Sequence, residues 1–162
     1  MTGSLAGQEI VLNCDDEGGE AGGRGRRTKG GTMGQTENAA IVRRAYEAFN
    51  TADMKTLNET FDKSAVWHAP GHSFGKDYPS RDATFAYFGQ LGEGTGGTFR
   101  ANLHHLLAGD DGYVVGIQRS TGDRDGKHLD VGNSIVFQLK DGRIIEAWEH
   151  FDDLYAWDEF WS

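Results

Sequence analysis

The order of patterned segments predicts an α+β fold, a twisted antiparallel sheet whose apolar face is covered by three helices. Three observations carry this expectation. Composition breaks near residue 36, from glycine and charge to periodic apolar sequence. Three segments of helical period then follow within residues 36–92. Finally, four strand-like runs are separated by Asp111-Gly112, Asp125-Gly126 and Asp141-Gly142. Asp-Gly between such runs is a strong hairpin signal, because both residues tolerate positive φ. An antiparallel meander with one apolar face needs a cover, and the early helices supply it.

Each element has its own local reason. In ENAAIVRRAYEAFN, Ile41, Ala45 and Ala48 share a face, with Val42, Tyr46 and Phe49 beside them. Asp53 is placed to cap a second helix, MKTLNETF, with Met54, Leu57 and Phe61 on one side. SAVWHAP reads as a strand stopped by Pro70, and GHSFGKDYP as a loop. Ser80 caps a third helix, RDATFAYFGQL, with Phe85, Phe88 and Leu91 on one face, and EGTGG ends it. TFRANLHHLLA, YVVGIQRSTG, KHLDVGNSIVFQL and RIIEAWEHF are the strand candidates. DDLYAWDEFW closes the chain as a short helix, with Leu154, Trp157 and Trp161 on one face and Asp152-Asp153 as its cap.

Residues 1–35 are expected to be a disordered glycine-rich tail, since CDDEGGEAGGRGRRTKGG offers too little apolar surface to offset ordering entropy. The run Ile10, Val11, Leu12 is the one piece able to add a strand there, and Met33 offers an alternative start to the folded body. The 162-residue length suits one domain, residues 36–162, with a core that needs no disulfide. Cys14 is the lone cysteine, and no Cys/His group has zinc spacing, so no metal is expected. A net charge of −9 with no basic stripe argues against nucleic acid and anionic membranes as partners. No apolar run approaches the roughly 20 residues needed to span a bilayer, and no signal peptide is evident. A cytoplasmic location is the expectation.

NAAIVRRAYEAFNTADMKTLNETF, AVWHAPG, SRDATFAYFGQL and LDVGNSIVFQLKDGRIIEAWEHFDD, in this order and spacing, resemble SnoaL-like proteins of the NTF2-like, ketosteroid-isomerase-like type. The resemblance covers about residues 36–162. It implies a cone-shaped curved sheet wrapped around three helices, with a deep pocket for a small apolar molecule, and a homodimer. Such proteins include isomerases, polyketide cyclases, epoxide hydrolases, dehydratases and pure binding modules, so fold does not fix function. Matched to ketosteroid isomerases, the helix tyrosine falls on Ala45, with Tyr46 one residue out of register. The general-base aspartate falls on Ala69, before Pro70, and the second oxyanion donor on Asn133. The sequence therefore does not support ketosteroid isomerase activity. Asp123, Arg124 and Asp125 superficially match the acid–arginine–acid set of limonene epoxide hydrolases, but they sit together at a hairpin turn and are rejected.

Strand parity then nominates pocket residues. Leu129, Val131, Ile135, Phe137 and Leu139 form an apolar series that includes Asn133. Asn133 is either a ligand partner or a structural hydrogen bond to a neighbour, since a buried amide needs a partner. Gln118, between Gly116 and Ser120, is a polar pocket candidate. In the last strand, Glu149 shares parity with Ala147 and Phe151, while Ile144, Glu146, Trp148 and His150 take the other face. If Glu149 faces the pocket, desolvation suits it to general acid or base work; the alternative is a structural ion pair or a solvated rim position. Trp67 is expected inward, which turns His68 to the far side unless the strand bulges; His68 is otherwise a second acid–base candidate. His72 is expected over the pocket mouth, and Tyr46, Phe49, Phe85 and Phe88 along the apolar wall. His104 and His105 are adjacent and point to opposite faces, so they make no joint metal site. Ile144 and Trp148 are expected on the outer face, as a dimer patch.

Two functions remain open. One is cofactor-free acid–base chemistry, an isomerase, cyclase or dehydratase acting on a small apolar or polyketide-like carbonyl compound, with Glu149 or His68 moving the proton. The other is a non-catalytic ligand-binding or dimerisation module. No cofactor is implied by either.

Overall fold

The computed structural model describes residues 34–162, and the expectations for residues 1–33 fall outside the described residues. The chain runs α1 (Gln35–Thr51), α2 (Met54–Thr60), β1 (Phe61–Ala69), β2 (Lys76–Tyr78), α3 (Arg81–Gly94), β3 (Arg100–Ala108), β4 (Tyr113–Arg124), β5 (Lys127–Lys140), β6 (Arg143–Phe151) and α4 (Leu154–Trp161). The helix caps are made by the residues their chemistry favours. Asp53 accepts from Thr56 N at 3.1 Å, Ser80 from Ala83 N at 3.2 Å and Asp153 from Ala156 N at 3.0 Å.

The strands form one curved sheet in the order β2-β1-β6-β5-β4-β3. The meander β3 to β6 is antiparallel, closed at two hairpins by Asp125-Gly126 and Asp141-Gly142, all four residues at positive φ. Only Gly112 takes positive φ at the remaining Asp-Gly. Two features depart from the sequence reading. β1 and β6 pair in parallel, because the chain crosses back through α3 and three strands before β6 arrives beside β1. The segment read as a loop before Ser80 contains the three-residue strand β2, which pairs Tyr78 with Trp67 at the sheet edge.

Among the antiparallel pairs, bulges bend the sheet where register shifts, between Leu103 and His105 and between Gln138 and Leu139, and the parallel β1–β6 pair shifts register between Phe61 and Val66. The shift at Gln138/Leu139 corrects a parity expectation. β5 residue Leu139 pairs with Ile144 and Gln138 with Glu146, leaving Ile145 as the extra residue. Ile144 is thereby turned inward and is fully buried, rather than standing on the outer face. Trp148, past the bulge, stays on the outer side in the row with Glu146 and His68.

The inner face is the core. α1 packs on β3 and β4, α3 on β1 and β2, and α4 on β5. The buried faces are Ile41, Val42, Ala45, Tyr46 and Ala48 on α1, then Thr84, Tyr87 and Leu91 on α3. Met54 and Leu154, expected on buried helix faces, are instead exposed. Trp157, Phe160 and Trp161 anchor α4, with Trp157 stacked on Phe151 at 4.1 Å between ring centroids.

Candidate functional site

Between the helices and the concave face lies a cavity of about 460 Å³, its mouth included. Its wall is aromatic. Trp67 meets Phe88 edge-on at 5.0 Å and Phe137 at 6.1 Å, and Phe49 meets Phe88 at 5.1 Å. Rings locked against one another in this way give a rigid apolar surface.

The polar groups of the sheet come from three strands. Alternation puts Gln118 and Ser120 on the inner face of β4, Asn133 on that of β5, and Glu149 on that of β6. The cross-strand pair Gln118–Asn133 brings the first two side by side. Glu149 is 7% exposed and accepts three hydrogen bonds, from Tyr87 OH at 3.1 Å, Asn133 Nδ2 at 3.2 Å and Trp67 Nε1 at 3.4 Å. All three donors are neutral. Burial therefore dominates and raises the carboxyl from its ordinary 4.5 to about 7, although each donor pulls it back somewhat. The phenols around it are affected in turn. Burial first, and then the charge of Glu149, push Tyr46, Tyr78 and Tyr87 above the ordinary phenol value, so all three remain protonated donors.

Two buried polar atoms on the wall have no partner, Tyr46 OH and Gln118 Oε1. A buried polar atom without a partner is uncommon in a native structure and points to a missing water or ligand.

Trp67, Gln118, Glu149, Tyr46, Phe49 and Phe88 all line the cavity. Asn133 stands just behind them, holding Glu149. Three other sequence candidates stand elsewhere. Phe85 packs behind the wall on Phe61, at 5.6 Å, and on Phe88. His68 lies on the outer face between Asp77, at 2.6 Å, and Glu146, at 2.8 Å, stacked on Trp148. Its parity already turned it there, and no bulge intervenes near Pro70 to bring it back. His72 leaves the pocket mouth for Asp158 of α4, bonding through both its backbone N–H and Nδ1, with its ring almost fully exposed. Sequence reasoning missed Tyr87 and Ser120. Tyr87 and Leu91 sit four apart on α3, the spacing that marks a buried face, but the Phe85–Phe88 face masked it.

Among the described residues, no group of three or more His, Cys, Asp or Glu is placed to hold a metal ion. None of the described helices is long and apolar enough to cross a membrane.

A SnoaL-like domain matches residues 42–147. Among solved structures, Bal32a from a soil-derived mobile gene cassette is 56% identical, covers 79% of this chain and 98% of its own, and superposes with a TM-score of 0.78. A protein of unknown function with a cystatin-like fold from Xanthomonas campestris is 24% identical over 80% of this chain and 99% of its own, TM-score 0.72. A proposed SnoaL-like polyketide cyclase from a Jannaschia species is 22% identical over 77% and 92%, TM-score 0.64. The last two share the fold. No curated protein matches the chain.

Proposed function

This chain belongs to the SnoaL-like family, and from that premise we propose that its cavity takes a small, largely apolar carbonyl compound on which Glu149 moves a proton without a cofactor. The reaction is an isomerisation, cyclisation or dehydration. One observation carries the reading, a carboxylate buried in an aromatic cavity with three neutral donors and no cation among them. A carboxyl near 7 is half ionised at neutral pH, where a general base both exists in its basic form and holds a proton well enough to return it. Tyr46 supplies the complement. Tyr46 lines the same cavity, and its unpartnered hydroxyl is a donor for the oxygen on which charge grows as the α-carbon loses its proton. The polyketide cyclase proposed for the Jannaschia neighbour is chemistry of this carbonyl-rich kind.

The base does not sit where ketosteroid isomerases carry theirs. That position is Ala69 on β1, and Glu149 lies on the adjacent strand. The parallel register pairs His68 with Trp148, and Ala69 and Glu149 each follow that pair by one residue. Glu149 thus stands beside the position that carries the base in ketosteroid isomerases. The non-catalytic module is favoured by one feature, that Glu149 already accepts three hydrogen bonds.

Tetralone, an aromatic ketone with an enolisable carbon, separates these readings. Its α-hydrogen exchange in heavy water is followed by NMR. Acceleration by the wild-type protein that Glu149→Gln removes supports the enzyme. A protein that binds tetralone and leaves its exchange rate unchanged supports the module.

We also propose a homodimer through the outer sheet face. Tyr113 and Ile117 are exposed there, with Tyr113 stacked near Trp148 at 6.5 Å, and a second copy of the same patch is the natural cover for such a stripe. Light scattering at micromolar concentration should give twice the chain mass; a monomer overturns it. The acidic surface, with no basic stripe, and the lone cysteine support a cytoplasmic setting without nucleic-acid partners.

A further inference from the structure

The hydrogen-bond directions around Glu149 propagate to a group that does not touch it. An ionised carboxylate accepts only, so Asn133 must present its amide nitrogen to Oε1, at 3.2 Å. Asn133 Oδ1 then faces Ser120 and accepts its hydroxyl proton at 3.1 Å. With that proton committed, the Ser120 oxygen accepts from Gln118 Nε2 at 3.2 Å. Gln118 is thereby fixed end for end, with Oε1 left over. That oxygen is buried and has no partner, and Gln118 is one of the residues lining the cavity. Every link has one permitted direction, so Gln118 is an oriented acceptor and not a side chain free to turn its amide.

The second unpartnered atom, Tyr46 OH from α1, lies against the same strand at Gly116. Gly116 precedes Gln118 by one inward-facing position of β4, roughly 7 Å along the strand. A Cβ at Gly116 would stand 2.5 Å from Tyr46 OH, so glycine leaves the space that the phenol occupies. The cavity thus presents a phenol hydroxyl and, one step along β4, a fixed acceptor. An occupant with only a carbonyl oxygen satisfies Tyr46 and leaves Gln118 Oε1 buried and unpaired, which disfavours its binding.

We infer that Gln118 is a specificity-determining residue that selects carbonyl compounds carrying a hydroxyl or N–H group, which donates to its Oε1 while the carbonyl oxygen lies at Tyr46. The inference rests on the reading of the cavity as a carbonyl-compound site, but not on turnover at Glu149.

Fluorescence titrations therefore use binding alone, at a pH above the Glu149 value of about 7, with hydroxytetralone, unsubstituted tetralone and the methyl ether of hydroxytetralone. Wild-type protein should bind the hydroxy compound about tenfold tighter than either other probe. Unsubstituted tetralone controls for size. Gln118→Leu should erase the preference. Ser120→Ala should reduce it while Gln118 stays in place, because the freed amide can then turn its nitrogen toward the ether oxygen. Wild-type protein that binds the three probes alike, or none of them, overturns the proposal. So does an undiminished preference in both variants. Loss of tetralone exchange in Glu149→Gln, or its persistence, bears on the base and leaves this result unaffected.

Discussion

The two faces of the sheet carry the same ingredients to different ends. Strand β6 places Glu149 on the inner face and Glu146 on the outer, and β1 does the same with Trp67 and His68. Inside, the carboxylate meets an indole, a phenol and an amide. Outside, it meets an imidazole stacked on Trp148, with Asp77 on the other ring nitrogen. Burial works against the charged imidazole of His68, but the bonds to Glu146 and Asp77 outweigh it and hold its pKa above the ordinary 6.5. The outer group is an ion pair at mildly acid pH. The inner carboxylate has no cation to lean on; burial raises its pKa, and the three neutral donors offset only part of that rise. What makes Glu149 chemically poised is therefore the company of neutral donors as much as its depth.

That contrast breaks most sharply on exchange kinetics. Glu149→Gln should slow protein-catalysed tetralone exchange by about 10²–10⁴-fold, and Glu146→Gln should leave it near the wild-type rate. Equal losses would dissolve the distinction between the faces. In the wild type, the rate should rise with pH through about 7, as the base form of Glu149 accumulates.

Stability against pH is the next largest effect. Folded Glu149 titrates near 7 and its ordinary value is 4.5. The folded state thus holds the proton more tightly, and stability from this group is fully present below 4.5 and is lost as pH rises toward 7. At about 1.4 kcal/mol per unit, the whole window is worth on the order of 3 kcal/mol. Denaturant titrations of the wild type and Glu149→Gln should show their stability difference drifting against the wild type across that window; a constant difference would refute the buried, cation-free environment.

Asn133→Ala removes one donor from the carboxylate and the central link to Gln118. Probe binding should weaken on the order of 1–3 kcal/mol by calorimetry. Loss of Asn133 should also raise the midpoint of the exchange profile, since one of the bonds that favours the charged form is gone. An unmoved midpoint would mean that water takes its place.

The outer cluster gives the smallest effect. His68→Ala should cost less than about 1 kcal/mol, because half-exposed ion pairs are screened. The sign is opposite to that expected of a depressed acid. The raised His68 pKa means its contribution is present below 6.5 and fades as pH rises through the folded value. Unfolding measured at mildly acid and at alkaline pH should show the cost shrinking; a cost that grows with pH would show that stacking on Trp148, and not charge, is what matters.

How far the site was legible follows from the range of each signal. Parity along β4, β5 and β6 was enough to nominate Gln118, Asn133 and Glu149 for one face, because alternation is a property of a strand by itself. The same rule placed Ile144 outward and failed, since a bulge depends on the partner strand as well as on the sequence that carries it. His72 was out of reach for a similar reason: the Asp158 that draws it away lies 86 residues on, on α4.

The sequence by itself determined the helices, the meander with its Asp-Gly hairpins, and which residues along each strand could face inward. These rest on local periodicity and turn chemistry. Only the tertiary structure decided that β1 lies parallel to β6, that Tyr87 from α3 reaches Glu149 across 62 positions, and that none of the described residues lining the cavity with it is a cation. Such facts depend on which distant groups share a volume from which water is excluded. A carboxylate's protonation is set by that shared volume, and no periodicity along the chain records it.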